Sequence, residues 1–136
     1  MAVRPARPAD RSALDALQSH LPEPSPSLLA AGDDVGTILV STDGDRPVGY
    51  LLAVDSPAEG HVSELVVAPD SRREGRASAL LTAYLRTRPS GTRVSLTVAP
   101  ENEAARSLYE RHGFAVAGRR REFFVSGDAL VYERTA

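Results

Sequence analysis

The apolar positions of this chain alternate between a period of two and a period near 3.6, and each switch marks an element. After a short extended start in "VRPARP", Asp10 stands as a helix N-cap before Ala13, Leu14, Leu17 and Leu21, which share one helical face. The proline- and serine-rich "LPEPSPS" is a loop or the lead-in to a short helix. Two apolar runs in "GTILVSTDGDRPVGYLLAV" flank the turn-forming "TDGD" and predict a β-hairpin. "HVSELVVAP" is a further strand, closed by Pro69. Ala77, Leu80, Leu81, Tyr84 and Leu85 then fall on one helical face, and Val94, Leu96 and Val98 alternate as a strand. "NEAARSLYERHGF" carries Ala105, Leu108, Tyr109 and His112 on one side of a helix that stops at Gly113. Runs around Phe114–Gly118 and Ala129–Glu133 predict a closing hairpin.

This order predicts a single α+β (mixed α/β) domain over residues 1–136, with helices covering a central sheet. The strand–helix–strand segment over residues 67–98 predicts a right-handed crossover between two parallel strands. There is no internal repeat.

Composition narrows the chemistry. The chain lacks cysteine, which removes disulfides, thiolate metal sites and a cysteine nucleophile. All 16 basic residues are arginine, so no lysine amine exists to form a covalent intermediate. A net charge of −2 argues against a dedicated nucleic-acid binder. "MAVRPARPAD" lacks the apolar stretch of a signal peptide, and no run approaches a membrane span, so the expectation is a cytoplasmic protein without a membrane partner. No metal site is expected. The arginines of "GRRRE" lie in a predicted hairpin, where alternate side chains face opposite ways, and read as a solvated edge that discourages strand pairing.

The stretch "RREGRAS" breaks an electrostatic rule. It sets Arg72, Arg73 and Arg76 at the start of a helix, an end that already carries partial positive charge. An anion bound there resolves the conflict. Gly75 and the small Ala77 let a ligand approach the backbone, and the first amides of the helix, up to Ser78, are free to donate to a phosphate. Glu74 makes this cradle less positive than the arginines alone would. A nucleotide P-loop needs a lysine, and a dinucleotide fingerprint needs further glycines, so both are excluded.

"VVAPDSRREGRASALL" resembles motif A of the GNAT superfamily of N-acetyltransferases, with Arg72, Gly75 and Ala77 at its Q/R-x-x-G-x-G/A positions. "VAPENEAARSLYERHGF" resembles motif B through Asn102, Ala105, Leu108, Tyr109, Gly113 and Phe114, in the family's order and spacing. The resemblance implies a mixed sheet of six to seven strands flanked by about four helices. It further implies acetyl-CoA as cosubstrate and direct transfer to the amine of a small molecule or peptide. The strand at 62–67 would splay from that at 94–98, the pantetheine arm would pair with backbone near Val66 and Val67, and the diphosphate would take amides across Arg73–Ser78. Asn102 would sit near the pantetheine or orient the second helix. A homodimer is among the assemblies the resemblance leaves open.

An amine with an ordinary value of about 10 is mostly protonated at neutral pH, so the reaction calls for a base. It also calls for donors to an oxyanion, with backbone near Val67 as the candidate, and for an acid at the leaving thiolate. From its spacing alone Tyr109 is a core aromatic; the resemblance implies the general acid. For the base, Glu64, His61 and a chain of waters all stand open. Glu64 reads as an unpaired acid in an apolar run, and His61 faces the other side of a regular strand unless a bulge reorients it. His20 and His112 read as helix C-terminal residues favoured by the dipole. Acceptor hints conflict: Glu23, Asp33 and Asp34 favour cationic amines, whereas Arg119–Arg121, beside Phe123 and Phe124, favour carboxylate-bearing ones. The competing readings are a non-catalytic acyl-CoA-binding sensor and a nucleotide-dependent enzyme.

Overall fold

A computed structural model describes residues 2–21, 24, 26–124 and 127–136, apart from the side chains of residues 32, 33 and 35. The elements run β1 (Ala2–Pro5), α1 (Arg11–Gln18), α2 (Pro26–Val35), β2 (Gly36–Asp43), β3 (Arg46–Asp55), β4 (Glu59–Val67), α3 (Arg76–Thr87), β5 (Arg93–Val98), α4 (Glu103–Arg111), β6 (Ala115–Phe124) and β7 (Gly127–Thr135). They form one 7-stranded sheet in the order β1-β2-β3-β4-β5-β7-β6. Among the described residues only β4 and β5 pair in parallel, across the α3 crossover; the other pairs are antiparallel. The closing hairpin is longer than its apolar runs predict, reaching Phe124↔Gly127.

Two apolar layers clamp the sheet. Leu14 and Leu17 of α1 and Leu29 of α2 pack with Val40, Tyr50, Leu52 and Val66 on one face. Leu80, Leu81 and Tyr84 of α3 and Tyr109 of α4 pack with Leu51, Val62, Leu96 and Tyr132 on the other. The predicted cap at Asp10 works differently. Its carboxylate turns back to accept from the Arg7 backbone N–H (2.7 Å) and to pair with Arg4 (2.8 Å), so it secures the approach to α1 and not its first amides.

At the end of the sheet remote from the cradle, the Tyr84 hydroxyl donates to Asp55 (2.5 Å), as does Thr37 (2.6 Å). A Cβ on Gly60 would run into that tyrosine hydroxyl. Gly60→Ala is therefore expected to lower unfolding free energy by about 1–3 kcal/mol. Gly118→Ala, where the added atom meets open space, should change it by less than about 0.5 kcal/mol. Urea denaturation of the two variants checks both.

Candidate functional site

The turn between β4 and α3 is built to expose backbone donors. Arg73 (φ 65°) and Gly75 (φ 78°) both take left-handed conformations, cheap for glycine and costly for arginine. Ala79 N–H is the first to bond back within α3, to Gly75 O at 2.9 Å. The amides of Arg76, Ala77 and Ser78 are thus the free ones at the helix N-terminus. The three arginines do not act together as the sequence suggests. Arg72 Nε donates to Val67 O (3.0 Å) and pins the turn to the end of β4. Arg76 is buried and turned toward β2, where it donates to Ser41 Oγ and Thr42 O, both at 3.0 Å, beside the bulge between those residues. The expectation that its guanidinium faces an anion is corrected: only its backbone fronts the cradle. Glu74 pairs with Arg76 Nε (2.8 Å), so its charge is spent on Arg76. Among the described residues, Arg73 alone of the three has no hydrogen-bond or ion-pair partner.

Beyond the turn the sheet opens. β4 and β5 pair from Glu59↔Arg93 to Val62↔Leu96 and then diverge, leaving residues 63–67 without a partner on that edge. A cavity of about 590 Å³ runs from the cradle (Arg72, Arg73, Gly75 to Ser78) past Val66 and Val67 to the face of α4 at Ala104, Ala105 and Leu108. A second, of about 170 Å³, lies between β4, β5 and the hairpin tip, walled by Leu21, Val62, Ser63, Glu64, Val98 and Phe124. Leu65, Leu21, Asn102 and Tyr109 line both, so the cavities meet there. Asn102 caps α4, its Oδ1 accepting from Ala105 N–H (3.2 Å), and also lines this junction.

Tyr109 is buried, its ring set edge-to-face against Tyr132 (5.9 Å) and tilted on Phe114 (6.3 Å). Among the described residues its hydroxyl makes no hydrogen bond. Burial pushes the phenol up to about 12, so it carries its proton throughout the neutral range.

Glu64 is not the unpaired acid of the sequence reading. It is buried, accepting from Gln18 Nε2 (3.0 and 3.2 Å) and from Tyr50 O–H (2.8 Å). Burial and the Glu64 charge hold the Tyr50 phenol far above its ordinary value, so it remains a donor. Both partners lie far from Glu64 along the chain, and no local signal announces them.

A bulge interrupts the regular alternation of β4. Leu52 pairs with Glu64 but Ala53 with Val62, which makes Ser63 the extra residue. Cross-strand partners share a face, so Glu64 and His61 both point to the α1/α2 side. The structure nonetheless separates them. Glu64 lines the smaller cavity, whereas His61 lines neither and bonds Ser95 Oγ through Nδ1 (2.9 Å).

Burial, with Arg120 nearby, lowers His61. Burial, with Arg111 and Arg134, lowers His112, against the helix-dipole expectation. His20 lines the larger cavity. Both lowered histidines give a pH signature. As pH falls below the ordinary 6.5, the unfolded chain takes up these protons before the folded one does. Stability therefore drops through that window, the loss being complete below the folded values. Thermal melts from about pH 7 to about pH 5 should show a falling Tm. A His61→Gln/His112→Gln double variant should flatten that fall.

Glu23 lies outside the described residues, as does the side chain of Asp33. Asp128 holds both Arg119 Nε (2.9 Å) and Glu122 N–H (2.9 Å) at the closing hairpin, and Arg120 stacks on Phe123.

A model described as the acetyltransferase (GNAT) family matches residues 7–114. The chain belongs to that family. The mycothiol acetyltransferases of Mycolicibacterium smegmatis and Acidothermus cellulolyticus are similar, at 37% identity over 90 residues and 38% over 88. Each match covers 62% of this chain, which spans only 30% and 26% of those relatives. Among solved structures, Ard1 from Thermoplasma volcanium superposes with a TM-score of 0.90 at 22% identity, covering 99% of this chain and 97% of that one. The ribosomal-protein-S18-alanine N-acetyltransferase from Escherichia coli gives 0.85 at 21%, covering 98% and 92%. Arabidopsis thaliana NAA60 in complex with acetyl-CoA gives 0.82 at 18%, covering 99% of both chains. At these identities the likeness is one of fold. Within this GNAT fold, Arg72, Gly75 and Ala77 of motif A form one end of the larger cavity. Asn102, Ala105, Leu108 and Tyr109 of motif B form its α4 wall.

Proposed function

We propose that this GNAT protein transfers the acetyl group of acetyl-CoA directly to a primary amine of a small molecule or peptide. The observation that carries the reading is the opened β4/β5 pair, with free amides at one end, a phenol where its two cavities meet and a carboxylate on the wall of the smaller one. The amides of Arg73–Ser78 would hold the diphosphate, with Arg73 adding charge, and backbone at Val66 and Val67 would receive the pantetheine. These groups fit an elongated anionic carrier, whose thioester supplies the activated acetyl group.

The smaller cavity suits the acceptor. Its walls mix apolar side chains with Ser63, Thr97 and Asn102, and Glu64 is the carboxylate on them. That arrangement draws in an ammonium and takes its proton, directly or through water, and so favours Glu64 over His61 as the base. Fixing both carboxylate oxygens through Gln18 and Tyr50 holds the base in one orientation. Tyr109 donates to the departing sulfur. The chain offers neither cysteine nor lysine to carry an acyl group, in keeping with direct transfer.

Purified protein supplied with acetyl-CoA should release free thiol with at least one member of a panel of polyamines, amino acids, aminoglycosides and short peptides. Turnover should rise with pH as the amine loses its proton. Tight CoA binding without turnover on any amine would support the sensor reading, and stronger thermal protection by ATP than by CoA the nucleotide-dependent one.

A further inference from the structure

Ser78 and His112 form a contact that the reaction scheme leaves unused. Ser78 lies in the first turn of α3 and lines the larger cavity; its Oγ is 2.8 Å from Nε2 of His112, at the end of α4. Among the described residues it is the one side-chain hydrogen bond that joins the two helices walling the groove. Its direction is chemically decisive. With Nε2 bare, the serine spends its hydrogen on the imidazole and turns lone pairs toward the groove, which suits no anion. With Nε2 protonated, Ser78 accepts from the ring and its own hydrogen is free to donate to a phosphate oxygen.

The charged groups acting on His112 are Arg111 of its own helix and Arg134 of β7, which also donates to the His112 carbonyl (2.6 Å); α3 contributes Ser78. Both cations disfavour a proton on the ring in the free protein, whereas a diphosphate beside Ser78 favours one.

We infer that His112 is a positioning residue for the acyl carrier, converting Ser78 into a phosphate donor by holding hydrogen on Nε2 when the diphosphate binds. The inference rests on the proposed carrier site. The hydrogen comes from solvent as a net proton, or from Nδ1 through a change of tautomer; in either case Nε2–H···Oγ replaces Oγ–H···Nε2.

Side-chain nitrogen NMR of the protein titrated with dephospho-CoA is the direct test, because that probe lacks the 3′-phosphate that would itself titrate near neutrality. The expected result is a move of the His112 Nε2 resonance from the bare to the protonated class on saturation. Affinity should fall about tenfold in Ser78→Ala, whereas His112→Gln, whose amide donates permanently to Ser78, should keep most of the parent's affinity. A His20→Gln background should leave the Nε2 change intact. If the ligand binds while Nε2 keeps its free-state signal, or if Ser78→Ala binds as tightly as the parent, the inference fails and the carrier site stands. Failure of dephospho-CoA and CoA alike to bind overturns the site as well as the inference.

Discussion

Tyr109→Phe is expected to lower kcat by about two orders of magnitude, the lower end of the range for a lost general acid, with CoA affinity changed less than about twofold. The hydroxyl has no hydrogen-bond partner among the described residues, and the ring is held by Tyr132 and Phe114, so phenylalanine keeps the packing. What disappears is one proton at the junction of the two cavities. The burial that keeps this phenol protonated, at about 12, acts equally against a bare thiolate leaving into the same space. The donor is therefore needed where sulfur charge develops. Steady-state thiol release paired with calorimetric CoA binding separates the two quantities. An unchanged kcat would reduce Tyr109 to the core aromatic that its spacing alone suggests.

Glu64→Gln should cost about a hundredfold in kcat/KM at neutral pH. The amide is nearly isosteric and still accepts from Tyr50, so the fold should persist, as an unchanged circular dichroism spectrum would show. The deficit should shrink toward the ordinary amine value of about 10, where the acceptor sheds its proton unaided. His61→Gln should alter kcat/KM by less than about threefold, because His61 lines neither cavity. Equal losses at the two positions, or a Glu64→Gln loss that ignores pH, would contradict the assignment.

Much of the frame was legible because it is written in short-range patterns. The β4–α3–β5 crossover follows from apolar spacing around Leu80, Leu81 and Tyr84 and from the alternation of Val94, Leu96 and Val98, and its parallel pairing from chirality. The cradle shows as small residues before a helix. What stayed hidden depends on distant partners. Arg76 looks like a phosphate ligand until Ser41 and Thr42, on a bulged strand 34–35 residues earlier, claim it. Glu64 looks unpaired until Gln18, 46 residues away, closes on it. The inserted Ser63 turns His61 and Glu64 to one face, and a period of two cannot announce its own interruption. Leu21 and Phe124 come to the smaller cavity from opposite ends of the chain.

Acetyl transfer as proposed requires backbone hydrogens at the start of α3 to grip a diphosphate. Amide NMR during a titration with coenzyme A tests this at the atoms concerned. Saturable shifts centred on Gly75, Ala77 and Ser78, with smaller ones at Val66 and Val67, are the expected result. A folded protein whose spectrum over those residues is unmoved by millimolar coenzyme A would contradict the account.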